Sequence, residues 1–383
     1  MKILYITSDS GWGGSSVALF NIIENLCTLN KIIVFLPNKT GTLGQRLNKL
    51  GVTCIDSPFG INCYPHLALS ISSLKSIWFF LKSFYYIPKA KAKLEQVIKS
   101  FKPDIVHQNV GPLNLSLGIC QKYNIPHVWH LREYQELMGM HFFPTTSVFR
   151  KSIFSKNNYN VAITNDIFKF YNLRNGIDTV IYDGVIPNGV FAHKCSKEKY
   201  FLYVGRIQDV KGVMDILIAF KDFHRLYPEY RLLLAGNWDT SLDFKKKCDE
   251  FIAVSQISSC VDFLGQRTDI YKLMSKAQAL IVASKFEGFG FISVEAMFNY
   301  CYVIGRNTGG IKEQFDKGLE AFGSEIGFRF EDVKGLVHAM TLVVNEYSEE
   351  MLNNAKNIVD SNYTSKVCAE NIMNFYDKIL KGR

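Results

Sequence analysis

The stretch from Ala279 to Met297 constrains this chain more tightly than any other. Ala279-Leu280-Ile281-Val282 is a short apolar run of strand type, and Val294, Ala296, Met297 and Phe298 mark at least one buried turn of helix. The residues between them, Ala283-Ser284-Lys285-Phe286-Glu287-Gly288-Phe289-Gly290-Phe291-Ile292-Ser293, hold two glycines and an acid, and Glu295 follows on the helix. The stretch therefore reads as a strand, a tight loop and a helix start. In an open parallel sheet such loops lie outside the carboxyl ends of the strands, where ligands collect. Gly288 and Gly290 let the backbone approach a ligand closely. The first helical amides, at Phe291 and Ile292, have no intrahelical partner and form a natural anion site. Two acids around an anion site suit a phosphorylated, hydroxyl-rich ligand, because carboxylates accept from sugar hydroxyls while amides hold phosphate. Each acid also has an ordinary explanation. Glu295 suits a helix N-terminus electrostatically without any ligand, and Glu287 beside glycine could be a solvated loop acid.

At 383 residues, 48% hydrophobic and 21% charged, the chain is long for one core and comfortable for two α/β domains. No apolar run is long and charge-free enough for a transmembrane helix, and Met1–Ile6 reads as a first strand and not as a signal peptide. The nine cysteines are scattered without zinc-type spacing, which suits reduced thiols in the cytoplasm. A net charge of +9 points weakly to an anionic partner: a sugar nucleotide, a phospholipid surface or nucleic acid.

The chain opens with strand Lys2–Thr7, a turn containing Gly11, Gly13 and Gly14, and an apolar helix from Val17 to Leu29. This is a place where Rossmann domains hold phosphate, although G-x-G-x-x-G is broken at Ser16 and close strand–helix packing explains the glycines equally well. Strands are expected at Ile32–Leu36, Val52–Ile55, Lys102–His107, Asn160–Thr164 and Thr179–Tyr182, and a short one ends near His130-Leu131-Arg132-Glu133. Between Leu67 and Phe101 only Pro88 interrupts a helical pattern. Ile71, Leu74, Ile77, Trp78, Leu81, Phe84 and Tyr85 keep a three/four spacing, and Lys75, Lys82 and Lys89 repeat every seven. That helix either covers the sheet with a solvated lysine edge or lies on an anionic membrane. After a polar linker near 191–199, strand Tyr200–Val204, Gly205-Arg206-Ile207-Gln208-Asp209-Val210-Lys211-Gly212 and helix Val213–Leu226 repeat the opening arrangement. Arg206 and Lys211 converge where a diphosphate would sit, a planar fork beside a mobile point charge. Further strands are expected at Arg231–Ala235, Val261–Leu264 and Tyr302–Ile304, with helices at 333–345, 349–358 and 364–381.

Glu287-Gly288-Phe289-Gly290-Phe291, with Glu295 eight positions after Glu287, resembles the E-x7-E element of retaining glycosyltransferases of family 4, which have the two-Rossmann-domain GT-B fold. The G-R-x4-K-G stretch at 205–212, the strand Lys102-Pro103-Asp104-Ile105-Val106-His107, the tetrad His130–Glu133 and the Thr308-Gly309-Gly310-Ile311-Lys312-Glu313 turn resemble the same family. The interdomain Tyr-Asn-Gly-Val of that family has two candidates, Tyr182-Asp183-Gly184-Val185 and Ile186-Pro187-Asn188-Gly189-Val190, and the choice stays open.

The resemblance implies two Rossmann-like domains facing each other across a cleft. Residues 1–190 would form the acceptor side, 191–363 would bind the nucleotide sugar, and 364–383 would form a helix crossing back to the first domain. It implies that Glu287 and His130 are catalytic. Arg206, Lys211, Phe291 and Ile292 would hold the diphosphate, Glu295 the ribose, and Glu287, Gly288, Phe289 and Gly290 the donor sugar. Gln266 and Arg267 would face the nucleobase. Gly13, Gly14 and Ser15 would form the loop over the phosphates and acceptor, and Arg132 and Glu133 would neighbour the acceptor. The expected partners are a nucleotide-diphosphate sugar and a glycan or lipid-linked oligosaccharide acceptor, with an anionic membrane surface as a further possibility and no nucleic acid. The expected setting is the cytoplasm or the inner face of the plasma membrane, in bacterial surface polysaccharide assembly. No D-x-D occurs in the sequence, and two cations plus a helix N-terminus can stabilise a leaving diphosphate, so neither metal nor cofactor is expected. Three rivals stand beside this reading: a nucleotide-sugar epimerase of similar fold, an NAD-dependent oxidoreductase, and a scaffold that keeps the fold without catalysis.

Overall fold

The computed structural model describes residues 1–65, 71–137, 140–238 and 242–382, with the backbone alone at 65, 71–80, 82–84 and 242. The chain forms two compact units: Met1–Pro187 with Ser365–Arg383, and Asn188–Thr364.

The strands of the first unit are β1 (Lys2–Ile6), β2 (Lys31–Leu36), β3 (Thr53–Asp56), β4 (Cys63–Pro65), β5 (Ile105–Gln108), β6 (His127–Leu131), β7 (Met140–Phe142), β8 (Asn158–Ala162) and β9 (Thr179–Val180). Seven of them make one sheet in the order β3-β2-β1-β5-β6-β8-β9, with every pairing parallel. β4 and β7 form a separate antiparallel pair that the sequence pattern did not suggest. Three residues are too few to show a period of two. Strand runs such as Ile3-Leu4-Tyr5-Ile6 are buried throughout, as a sheet covered on both faces requires. One face packs against the helices Gly14–Leu26 and Ser365–Lys381, where Leu19, Ile22, Ile23, Ile372, Phe375 and Tyr376 join Ile3, Tyr5 and Val34 in a single core. The terminal helix thus belongs to the first unit. The opposite face carries Leu4, Ile6 and Phe35 under Ala90, Leu94, Val97 and Ile98 of the long helix Ile71–Phe101. Residues 67–70 of the expected helix lie outside the described residues, as do the side chains of Ile71, Leu74, Lys75, Ile77, Trp78, Lys82 and Phe84.

The second unit has β10 (Tyr200–Val204), β11 (Arg231–Ala235), β12 (Val261–Gly265), β13 (Ala279–Val282), β14 (Tyr302–Arg306) and β15 (Phe328–Phe330). They lie in the order β12-β11-β10-β13-β14-β15, again all parallel. β15 is another short strand without periodic signal. Aromatic packing is dense on one face, where Phe220 and Phe223 of the helix Val213–His224 share a core with Phe201 and Tyr230. The architecture is two α/β units, each on a parallel sheet, as the resemblance implied. The first helix begins at Gly14, three residues earlier than the apolar run suggests, because Val17 N already donates to Gly13 O at 2.9 Å. Gly14, Ser15 and Ser16 therefore belong to the first helical turn.

Candidate functional site

The order of strands in the second unit lays the predicted residues along one sheet edge. Parallel strands end on the same side, so Gln266 and Arg267 follow β12, Arg206 and Lys211 follow β10, Glu287 follows β13 and Gly309 follows β14. Lys211 closes a single 3-10 turn, Asp209–Lys211, and its Nζ lies 3.1 Å from Glu287 Oε2. Both side chains are part-exposed, 32% and 19%, so the pair is ordered yet open to a ligand. Arg206 is exposed, and among the described residues its guanidinium makes no ion pair or hydrogen bond. The Tyr203 hydroxyl lies near Arg206 and Glu287. It donates to Arg206 O at 2.6 Å, and burial chiefly raises its pKa, with Glu287 adding to the rise and Arg206 opposing it.

The loop bearing Glu287 is held by the next helix, Gly309–Phe322. Gly310 N donates to Glu287 O at 3.0 Å, and Gln314 Nε2 donates to Phe289 O at 2.6 Å. Ser293 Oγ lies 2.6 Å from both Gly290 O and Gln314 Oε1. A Cβ on Gly309 would stand 2.2 Å from Glu287 O, and one on Gly310 would stand 2.2 Å from Phe289 O, so the glycine pair is what allows the two loops to meet. Gly290, at φ +89°, turns the chain into the helix Phe291–Phe298, whose first amides face outward from the turn. Arg306, which sequence reasoning missed, ties down the end of β13. It donates to Ala283 O at 3.1 Å, donates to Glu331 O at 2.6 Å, and pairs with Asp215 at 2.5 Å.

Glu295 is part-buried, deep enough that burial pushes its carboxyl up to about 7, with a hydrogen bond from Tyr271 pulling the other way. Arg267 is engaged by Asp269, with bonds of 2.9 and 2.7 Å, so its side chain stays within its own loop. Gln266 Oε1 accepts from Asn237 Nδ2 at 3.4 Å.

In the first unit, His130 and Arg132 lie in a buried hydrogen-bonded chain. Asn109 Nδ2 donates to Ser15 O at 3.0 Å, tying the start of the first helix to the residue that follows β5. Gly13 and Gly14 are exposed beside it, and Asp9 braces the turn by accepting from Gly11 N and Ser16 Oγ, each at 2.8 Å. Arg132 lies in the same interior as His130. Expected beside an acceptor, it is 6% exposed, and its guanidinium is committed to the interior. It donates to Asn109 O and Asn109 Oδ1, each at 3.0 Å, and pairs with Asp183. A buried guanidinium left without such partners would be strongly unfavourable. Asp183, in the first of the two interdomain candidates, is therefore a core residue whose pKa burial raises and Arg132 lowers. Glu133 is exposed, accepts from Gln135 Nε2 at 2.7 Å and remains available.

His130 is fully buried. Its Nδ1 lies 3.1 Å from His107 Nε2 and 3.3 Å from Arg132 Nη2, and its Nε2 has no hydrogen-bond partner. His107 Nδ1 lies 2.6 Å from the Tyr376 hydroxyl, which is 3.1 Å from that of Tyr5. Burial and the nearby Arg132 charge push both imidazoles well below the ordinary histidine range, so both are neutral. Sequence reasoning missed the roles of His107, Asn109 and Tyr376. A polar residue inside an apolar strand was a usable signal for His107, and Asn109 directly follows that strand. Tyr376 keeps ordinary core spacing with Ile372 and Ile379 and gave none.

The chain is 24% identical to the uncharacterized glycosyltransferase MJ1178 of Methanocaldococcus jannaschii over 295 residues, 74% of this chain and 78% of that one. It is 22% identical over 368 residues, 93% of each chain, to the GalNAc-alpha-(1->4)-GalNAc-alpha-(1->3)-diNAcBac-PP-undecaprenol alpha-1,4-N-acetyl-D-galactosaminyltransferase of Campylobacter jejuni. Among solved structures it resembles Anabaena Alr3699/HepE in complex with UDP, with a TM-score of 0.77, 18% identity, and coverage of 99% of this chain and 100% of that one. That likeness shows a GT-B-type fold. Residues 190–358, most of the second unit, match the family model described as Glycosyl transferases group 1.

Proposed function

We propose that this protein is a retaining glycosyltransferase that moves a sugar from a nucleotide-diphosphate sugar to a hydroxyl of a glycan or lipid-linked acceptor in polysaccharide assembly. The observation that carries the reading is the Lys211–Glu287 pair, 3.1 Å apart at the carboxyl edge of the sheet, with the unpaired Arg206 around the same tyrosine. The group 1 family match over 190–358 and the glycosyltransferase relatives support it.

In this reading Arg206, Lys211 and the amides of Phe291 and Ile292 hold the donor diphosphate and stabilise its charge as it leaves, without a metal ion. Glu295 accepts from the ribose hydroxyls, and the backbone at Gln266 and Arg267 borders the base. Glu287, with Gly288, Phe289 and Gly290, meets the sugar hydroxyls and faces the positive charge that develops at the anomeric carbon. The acceptor hydroxyl attacks the face from which phosphate departs, and a phosphate oxygen takes its proton. The ion pair keeps Lys211 and Glu287 ordered before the donor arrives, so less side-chain entropy is lost on binding. In the first unit the same reading keeps His130 as a substrate-facing catalytic residue and Gly13, Gly14, Ser15 and Glu133 as acceptor-side residues.

A thermal-shift screen of nucleotide sugars, begun with UDP and UDP-glucose, tests the reading. A true donor at about a hundred times its Kd adds ~2.7 kcal/mol of stability. The anomeric configuration of the transferred sugar, read by NMR, then decides retention. No stabilisation by any nucleotide sugar would sink the proposal, and an inverted product would sink its stereochemistry.

The reading extends to an anionic membrane surface bearing the acceptor. Leu81, Tyr85 and Lys89 form an exposed stripe at helical spacing, and Lys89 Nζ lies 2.8 Å from the Tyr85 hydroxyl. Each basic residue near such a surface adds ~1 kcal/mol, and the attraction fades with salt. Sedimentation should therefore pellet the protein with anionic but not neutral liposomes. Equal, negligible pelleting with both would leave the helix as packing alone.

A further inference from the structure

His130 is fully buried with one ring nitrogen satisfied and the other, Nε2, bare. A neutral imidazole carries one proton, so the side that holds it decides whether the bare nitrogen offers a donor or a lone pair. The partners of the ring decide which side holds the proton. A guanidinium only donates, and Arg132 is fixed by Asn109 and Asp183 with Nη2 3.3 Å from His130 Nδ1. That contact is favourable with a lone pair on Nδ1 and repulsive with an N–H there. If Nδ1 accepts, His107 Nε2, 3.1 Å away, must carry the proton that points at it. His107 Nδ1 is then an acceptor, and its partner at 2.6 Å, the Tyr376 hydroxyl, donates to it. The Tyr376 oxygen is left with lone pairs toward Tyr5, 3.1 Å away. With the opposite assignment every proton in this chain reverses, and Arg132 faces an N–H.

We propose that His107 and Tyr376 are positioning residues that, with Arg132, hold His130 in the tautomer protonated on Nε2, so that the ring offers a hydrogen-bond donor to a ligand oxygen. This rests on the reading above that His130 meets substrate, and it extends that reading to a residue 246 positions away, on the terminal helix. Burial keeps both imidazoles neutral, so the tautomer, not the charge, is the property under control. An oxygen at a sugar hydroxyl or phosphate ester accepts from such a donor, and the Nδ1-protonated tautomer would present that oxygen with a second lone pair.

Nitrogen–proton correlation NMR on labelled protein reads the tautomer directly and needs no substrate. The expected spectrum has His130 with a protonated Nε2 and a bare Nδ1. Tyr376→Phe, which removes one oxygen, shifts His130 toward a mixture of tautomers. Its kcat falls by about tenfold, the worth of one hydrogen bond realised in the reaction. In a His130→Gln background, whose amide supplies an N–H whatever residue 376 is, Tyr376→Phe brings no further loss. A merely structural effect would instead add. If Tyr376→Phe does not fold, His107→Phe is read in the same way, since it removes the donor to Nδ1. An Nδ1-protonated His130 in the wild type, or a tautomer unchanged in these variants, overturns the inference. Failure to transfer any sugar with the tautomer as expected overturns the functional reading alone.

Discussion

Glu287 and Glu295 lie eight residues apart, yet their surroundings differ enough to separate their tasks. Glu287 is part-exposed and paired with Lys211, whereas Glu295 is drawn into the fold beside Tyr271. A contact that strengthens in the transition state shows in kcat, and uniform binding shows in KM. Glu287→Gln should therefore lower kcat by roughly a hundredfold, the equivalent of ~2.7 kcal/mol of electrostatic stabilisation. Glu295→Gln should mainly raise donor KM and weaken the free nucleoside diphosphate. Calorimetry on both variants decides, and the roles are reversed if Glu287→Gln is the one that loses nucleotide affinity. A pH effect belongs to the same residue. Burial pushes Glu295 up to about 7, and only its ionised form accepts from both ribose hydroxyls. Nucleotide affinity should thus rise by roughly ninefold between about pH 6 and 8, because the ionised fraction climbs from about a tenth to nine tenths. Glu295→Gln should flatten that rise, and an equal slope in the variant would assign it to the nucleotide or to another group.

At the scale of elements, the site depends on two loops from neighbouring strands, β13 and β14, meeting backbone to backbone. Gly309 has φ +51°, and an added Cβ would lie 2.2 Å from Glu287 O. Gly309→Ala must strain its own backbone and also displace the acid, so stability should fall by ~1–3 kcal/mol and kcat should fall with it. Gly323→Ala, at the far end of the same helix with φ +68° and open space around it, should lose stability while keeping kcat. Thermal melts and steady-state kinetics on the pair make the comparison, and equal kcat in both would detach the glycine from the site. The sequence made the elements at this edge legible because each motif sits at a strand end, where apolar runs meet glycine. It made the local pairings legible only in part. Lys211 and Glu287 are 76 residues apart, and nothing in either motif announces that they touch. The Arg132–Asp183 pair was illegible for a related reason: Asp183 lies 51 residues away in a segment that reads as linker. The strands β4, β7 and β15 escaped because three residues carry no period.

Across the whole molecule, three described histidines of the first unit are buried and neutral, and they make it sensitive to acid. His127 is pushed down to about 4 by burial, while His107 and His130 are pushed well below the ordinary range. In the unfolded chain all three titrate near 6.5. Their depressed folded values stabilise the protein fully above about pH 6.5, and that contribution is lost as pH falls, because the unfolded state binds the protons first. Glu295 acts in the opposite sense. Its raised value makes the folded state the better proton binder between about 4.5 and 7, which offsets one of the three. Asp183, also raised by burial, acts in the same sense as Glu295 at the acid end. The net difference is about two protons, so stability should fall by ~2.7 kcal/mol for each pH unit between about 6 and 5. A series of urea unfolding curves across that range measures the slope. His127 is the residue to change, because it lies outside the His130 chain, held by Asn158 at 2.6 Å and Ser116 at 2.9 Å. His127→Gln will lower stability at neutral pH, but it should also reduce the pH slope by about one proton, ~1.4 kcal/mol per unit. A variant as steep as the wild type would mean that His127 already titrates normally in the folded protein, and the acid sensitivity would then rest on His107 and His130 alone.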